Sequence, residues 1–161
     1  MKIFLDSSKI SEAKRWSTVI EGATTNPTIL LKDGSNIYEF ARIMAPKPVS
    51  VEACGNFLTD ALKYSTEIPN AVIKVPLLKP DGGNNMDIIR QLSDEGISIN
   101  CTALMSLSQV ILATKCGARY VSLFAGRVDD EGGNSTSMIE DCVSFLQGEN
   151  SETEQIGRAH V

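Results

Sequence analysis

Three observations predict a parallel α/β barrel. Strand-like and helix-like patterns alternate with a repeat of roughly 20–28 residues, the spacing of βα units joined in parallel. The stretch Ala71-Val72-Ile73-Lys74-Val75-Pro76 carries β-branched residues on both faces, as a strand covered on two sides does. Polar residues sit at or just beyond the C-terminal ends of different strands: Asp6, Asn26, Glu52, Lys74, Asn100, Thr102, Ser122 and Arg127. An open doubly wound sheet suits a chain of 161 residues, but it offers few strand ends to one crevice. A closed (β/α)8 barrel gathers every strand end on one face, where barrel active sites lie. The expected fold is therefore a TIM-type (β/α)8 barrel, incomplete, with roughly six of the eight βα units present.

The elements follow in order. Lys2–Leu5 reads as the first strand, with Ser7 or Ser8 capping the next helix and Glu12 in its first turns. Gly22–Thr25 is a short second strand that Asn26-Pro27 breaks. A helix spans Ile37–Met44, a third strand Pro48–Ala53, and a helix Asn56–Ile68. The lysine strand is fourth, and Pro76 stops it. The turn-rich Lys79-Pro80-Asp81-Gly82-Gly83 leads to a helix over Asn85–Ser93, ended by Gly96. Strand Ile97–Cys101, helix Leu107–Lys115 with Gly117 after it, strand Tyr120–Phe124, a loop at 129–133 and an amphipathic helix Ser137–Leu146 complete the pattern. Residues 1–150 are expected to form the partial barrel, and 151–161 a tail.

Composition narrows the function. A net charge of −5 with pI about 4.9 lacks the basic footprint of a nucleic-acid binder. No apolar run reaches the roughly 18 residues of a membrane span. The N-terminus enters a strand without a signal-peptide core, so a cytoplasmic setting is expected. Cys54, Cys101, Cys116 and Cys142 form no CxxC pair or zinc spacing, which suggests reduced thiols. His160 is the single histidine, so proton transfer would fall to carboxylates, lysine, hydroxyls and water. No metal cluster or nucleotide-binding glycine frame is present, and no cofactor is expected.

Lys74 is the residue on which the chemistry turns. Burial disfavours an ammonium and so helps to make a neutral, nucleophilic amine. The alternative is a packed stem whose head reaches water. Asp6 reads as a helix cap or an acid/base, and Asn26 as a turn residue or a ligand for hydroxyls. Glu52 lies inside an apolar strand, where an unpaired carboxylate would be costly, so it calls for a partner or a role. Asn100 and Thr102 read as turn or hydrogen-bonding residues, and Arg127 as a surface cation or a forked donor for a phosphate. The set suits imine chemistry on a phosphorylated sugar, in which a lysine condenses with a ketone and a neighbouring carbon–carbon bond breaks.

The segments Phe4-Leu5-Asp6-Ser7, Thr24-Thr25-Asn26-Pro27-Thr28, Val49-Ser50-Val51-Glu52, Ile73-Lys74-Val75-Pro76, Ile99-Asn100-Cys101-Thr102-Ala103-Leu104 and Ser122-Leu123-Phe124-Ala125-Gly126-Arg127-Val128-Asp129 resemble the transaldolase family. The likeness is to its short branch, which includes the fructose-6-phosphate aldolases, and it covers about Met1 to Leu146. It implies a barrel of the class I aldolase type with Lys74 as Schiff-base lysine and Asp6 as general acid/base. Glu52 and Thr102 would hold a proton-shuttling water. Asn26, Asn100 and Ser122 would bind a dihydroxyacetone unit, and Arg127 the sugar phosphate. The implied reaction moves that unit from sedoheptulose 7-phosphate or fructose 6-phosphate to an aldose phosphate, glyceraldehyde 3-phosphate or erythrose 4-phosphate, in the pentose phosphate pathway, without a cofactor. Full-length members are expected to be homo-oligomers.

Glu52 and Phe124 favour transfer over simple cleavage, because the aldolases are expected to carry glutamine and tyrosine there; a phenylalanine lacks the phenol's hydrogen bond. A fructose-6-phosphate aldolase and a non-catalytic sugar-phosphate binder are the alternatives. Cys101, Ala103 and Leu123 depart from the family's usual residues as packing changes. The family continues into a seventh strand with a second phosphate-binding arginine and an eighth unit, neither of which is expected here. The final Ile156-Gly157-Arg158-Ala159-His160-Val161 equals one reading frame of a widely used sequencing adapter, so the tail is expected to be artefactual or disordered at least from 156. Strands one and six would then be open edges, and the chain alone poorly stable and weakly active.

Overall fold

A computed structural model describes residues 2–157. The fold is α/β, of TIM-barrel type, with seven parallel strands among the described residues. The chain divides into two compact units, Met1–Lys74 and Val75–Val161.

The first unit holds β1 (Phe4–Asp6), α1 (Ile10–Arg15), β2 (Gly22–Thr24), α2 (Pro27–Asp33), α3 (Ile37–Met44), β3 (Val49–Glu52), α4 (Phe57–Glu67) and β4 (Ala71–Pro76) as far as Lys74. Each strand pairs in parallel with the next. The register aligns Asp6 with Thr24, Thr24 with Ser50, and Glu52 with Lys74. Successive C-terminal ends therefore share one edge. A Cβ at Gly22 would collide with the Phe4 ring, so glycine is what lets β2 lie beside β1. On α3, Ile37, Phe40, Ala41 and Met44 recur at helical spacing and bury one face against Val49 and Val51 of β3. Asn36 and Asn56 cap α3 and α4 through their side-chain oxygens.

The second unit contains α5 (Met86–Asp94), β5 (Ile99–Leu104), α6 (Leu107–Lys115), β6 (Tyr120–Leu123), α7 (Ala125–Asp130), α8 (Ser135–Gly148) and β7 (Glu154–Gly157). Strands β5, β6 and β7 are again parallel neighbours. Between Cys101 and Leu104 the register slips, and Ala103 there has φ +60°. That bulge is where β5 leaves its pairing. Met138, Cys142 and Leu146 form the buried stripe of α8.

Three elements differ from expectation. Glu154–Gly157, expected in the tail, is a seventh strand. It pairs with β6 from Tyr120↔Glu154 to Leu123↔Gly157, so the expectation of β6 as an open edge is corrected, while the six βα units expected are present ahead of this extra strand. Arg119 holds its first residue, Glu154, at 2.7 Å. Residues 158–161 of that tail lie outside those described. Asn26-Pro27 does not only break β2 but also starts α2: Asn26 caps it and Pro27 takes the first position. The loop expected at 129–133 begins as the short helix α7. Boundaries shift elsewhere too: β5 runs on to Leu104, and neither Ser7 nor Ser8 caps α1, whose N-cap is Lys9.

Candidate active site

In the first unit, Lys74 is 7% exposed, an unusual degree of burial for a lysine. Its burial is compensated by two acceptors. Nζ donates to the Thr25 carbonyl at 3.0 Å and lies 3.3 Å from Oε2 of Glu52. The strand register produces the second contact, because Glu52 and Lys74 are paired residues of neighbouring strands. The Glu52 side chain is 29% exposed, so the pair bridges the buried nitrogen and solvent. The packed stem with its head in water is therefore not the arrangement found: the head is held by protein.

Asp6 is exposed at the end of β1, and its Oδ1 accepts from Thr24 Oγ1 at 2.8 Å. It is not the cap of α1. Asn26 Oδ1 accepts from Ile29 N at 2.8 Å as the cap of α2, which leaves its Nδ2 as the group to donate to a hydroxyl. Beyond Glu52, Cys54 is exposed, yet partial desolvation, then the Glu52 and Asp60 carboxylates, push its thiol above the ordinary range.

In the second unit, Ser122 Oγ donates to Asn100 Oδ1 at 2.8 Å, both residues being buried. The Asn100 amide is thereby oriented, with Nδ2 directed away from that bond. Thr102 is 4% exposed, and its Oγ1 has no hydrogen-bond partner among the described residues. Its carbonyl accepts from Leu77 N at 3.4 Å. Phe124 is half-buried at the start of α7, its amide bonded to Leu104 O at 2.8 Å across the bulge. Arg127 is exposed on α7 and lies 4.0 Å from Asp130 Oδ2, rather than joining the Asn100–Ser122 pair. Asp129 accepts from the Ser135 hydroxyl and amide, which hold its carboxyl below the ordinary value and tie α7 to α8.

Sequence reasoning gave Thr24 and Thr25 no role, although both touch the residues it chose. The available signal was two adjacent hydroxyl residues at a strand end directly before an Asn-Pro helix start.

The likeness to solved structures concerns the fold. A Pediococcus acidilactici protein described as a lactate oxidase superposes with a TM-score of 0.69 at 12% identity, covering 98% of this chain and 56% of that one. A barrel-type α/β fold with a buried lysine beside a carboxylate is the frame of an aldolase-type enzyme. The chain belongs to the transaldolase/fructose-6-phosphate aldolase family, whose model matches residues 3–159. Relatives named "Probable transaldolase" include one from Herpetosiphon aurantiacus, 36% identical over 96% of this chain and 72% of its own length. Another, from Thermodesulfovibrio yellowstonii, is 39% identical over 97% of this chain and 75% of its own. A third, from Lactiplantibacillus plantarum, is 34% identical over 97% and 74%.

Proposed function

We propose that the chain carries the site of a transaldolase in which Lys74 forms a Schiff base with a ketose phosphate. The observation that carries this reading is the buried Nζ held between the Thr25 carbonyl and the Glu52 carboxylate. Glu52 stands close enough to take a proton from the ammonium, directly or through one water, and so release the lone pair. Nζ then attacks the ketone carbon, a C–N bond forms, and the oxygen leaves as water to give the iminium. Asp6 removes the proton of the adjacent hydroxyl. The carbon–carbon bond breaks, its electrons pass to the iminium to give an enamine, and the aldose leaves. The enamine attacks an acceptor aldehyde, Asp6 returns the proton, and hydrolysis frees the lysine.

In the same reading Thr102 holds the shuttling water, and Asn26, Asn100 and Ser122 bind the three-carbon unit. Phe124 shapes the site and Arg127 takes the phosphate. Glu52 and Phe124 favour transfer to a second sugar over cleavage alone, and a place in the pentose phosphate pathway, within the cytoplasm, follows from that reaction. Among the described residues no helix is long and apolar enough to cross a membrane.

Borohydride reduction with fructose 6-phosphate tests the reading. The expected result is a sugar adduct on the peptide containing Lys74, absent from Lys74→Met. Product that forms only when glyceraldehyde 3-phosphate or erythrose 4-phosphate is added indicates transfer. Product without an acceptor indicates the aldolase, and no adduct removes the imine mechanism.

A further inference from the structure

In the run Thr24-Thr25-Asn26-Pro27, the Thr25 side chain has no part in the reaction so far. Thr25 is wholly buried. Its hydroxyl donates to the Ser50 carbonyl at 2.8 Å and its amide donates to the same oxygen at 3.0 Å. Its own carbonyl accepts from Lys74 Nζ at 3.0 Å. We infer that Thr25 is a positioning residue for Lys74: the latch of its hydroxyl onto Ser50 aims the carbonyl that holds the reacting nitrogen. This rests on the imine reading above.

A carbonyl is a useful acceptor only while its peptide plane is fixed. The plane between Thr25 and Asn26 is fixed from both sides. Two donors from Thr25 converge on one oxygen of β3. On the other side, Pro27 restricts Asn26 to extended backbone, observed at φ −154° and ψ 168°, and the cap bond to Ile29 secures it. The two acceptors around Nζ differ in kind. Glu52 can take a proton, whereas a backbone carbonyl stays unprotonated and accepts an N–H from the ammonium, the amine and the iminium alike. Nζ thus keeps one anchor while its protonation changes. Anchoring one N–H of the neutral amine confines rotation about Cε–Nζ and limits the sector open to the lone pair, an orientational contribution to rate.

The hydroxyl is assigned no contact with substrate, so its loss should slow imine formation without weakening binding. Thr25→Val keeps the shape and the amide bond but removes the hydroxyl. Thr25→Ser restores it, and Thr25→Cys supplies a weaker donor. The rate of borohydride-trapped adduct on Lys74 is read against fructose 6-phosphate concentration, with melting midpoints measured in parallel. We expect the saturating rate to fall about tenfold in Thr25→Val, half-saturation to stay within about twofold, Thr25→Ser to lie within about threefold of wild type, and Thr25→Cys to fall between. If Thr25→Val does not fold, the order Thr, Ser, Cys carries the test. Val or Cys trapping at the wild-type rate overturns the inference, as does Ser as slow as Val, or a loss confined to half-saturation. A wild-type protein with no Lys74 adduct overturns the imine reading itself, a result separable from all of these.

Discussion

At the scale of single residues, Lys74 and Glu52 meet because they are paired residues of neighbouring strands. Glu52→Gln keeps size and hydrogen bonding but removes the carboxylate 3.3 Å from Nζ, the proton acceptor of the proposed reaction. The expected outcome is a fall of about 10²-fold in the rate of adduct formation, with the melting midpoint little changed; stopped-flow or quenched trapping measures it. Thiol chemistry gives a second check. Burial pushes Cys101 up to about 12, with Cys116 adding to it, whereas Cys54 is exposed. Native alkylation at pH 8 is therefore expected to label Cys54 first and to spare Cys101 until the protein unfolds, as peptide mapping would show. Lys74 and Glu52 were legible in the sequence because each is a charge inside an apolar strand, which is costly unless used or paired. Thr25 was not, because it acts on the lysine through a backbone carbonyl, and every residue has one.

Among the elements, the segment after β1 is fixed by the end of α2. Asp33 Oδ2 accepts from the Ser8 amide and hydroxyl, each at 3.0 Å, and from Ser7 Oγ at 3.4 Å. The Ser8 amide is the main reason the Asp33 carboxyl sits below its ordinary 3.8. Desolvation opposes the shift, and the Ser8 hydroxyl, Lys9 and Ser7 reinforce it. A carboxyl depressed in the folded state binds fewer protons than in the unfolded state just below 3.8. Its contribution is thus complete above that value and lost as pH falls through the folded pKa. Asp33→Asn is expected to cost about 1 kcal/mol at neutral pH, with the gap to wild type closing below pH 3.8 in thermal melts. The helix that carries Asp33 went unread because Asn-Pro marks a strand's end and a helix's start with the same letters. Strand β7 went unread because a strand of four residues has no room for an apolar period. Its pairing is checked by hydrogen exchange: the Glu154 amide, bonded to Arg119 O at 2.9 Å, should exchange far more slowly than that of Glu152.

For the whole molecule, fold class was legible because alternation and strand-end polarity are repeated along the chain and survive local errors. Strand number was not, since it depended on one short polar segment. Among the described residues, β1 pairs with β2 in the first unit and β7 pairs with β6 in the second. Ile3, beside β1, is half exposed. With that apolar side chain in solvent and charge repulsion vanishing near the pI of about 4.9, concentration-dependent self-association is expected in sedimentation velocity, strongest near that pH. A single concentration-independent species would contradict it.

The four residues Thr24 to Pro27 perform four separate tasks without a gap: Thr24 steadies Asp6, Thr25 anchors Lys74, Asn26 caps a helix and Pro27 opens it. Such a block behaves as an indivisible cassette for recombination. Chimaeras whose crossover falls inside it would inherit half of the lysine's setting from each parent. Those that exchange it intact, together with the strand supplying the Ser50 carbonyl, would carry the amine's surroundings over whole. In a library of shuffled relatives, functional crossovers should therefore be depleted between residues 24 and 27 and recover in the surface loops on either side.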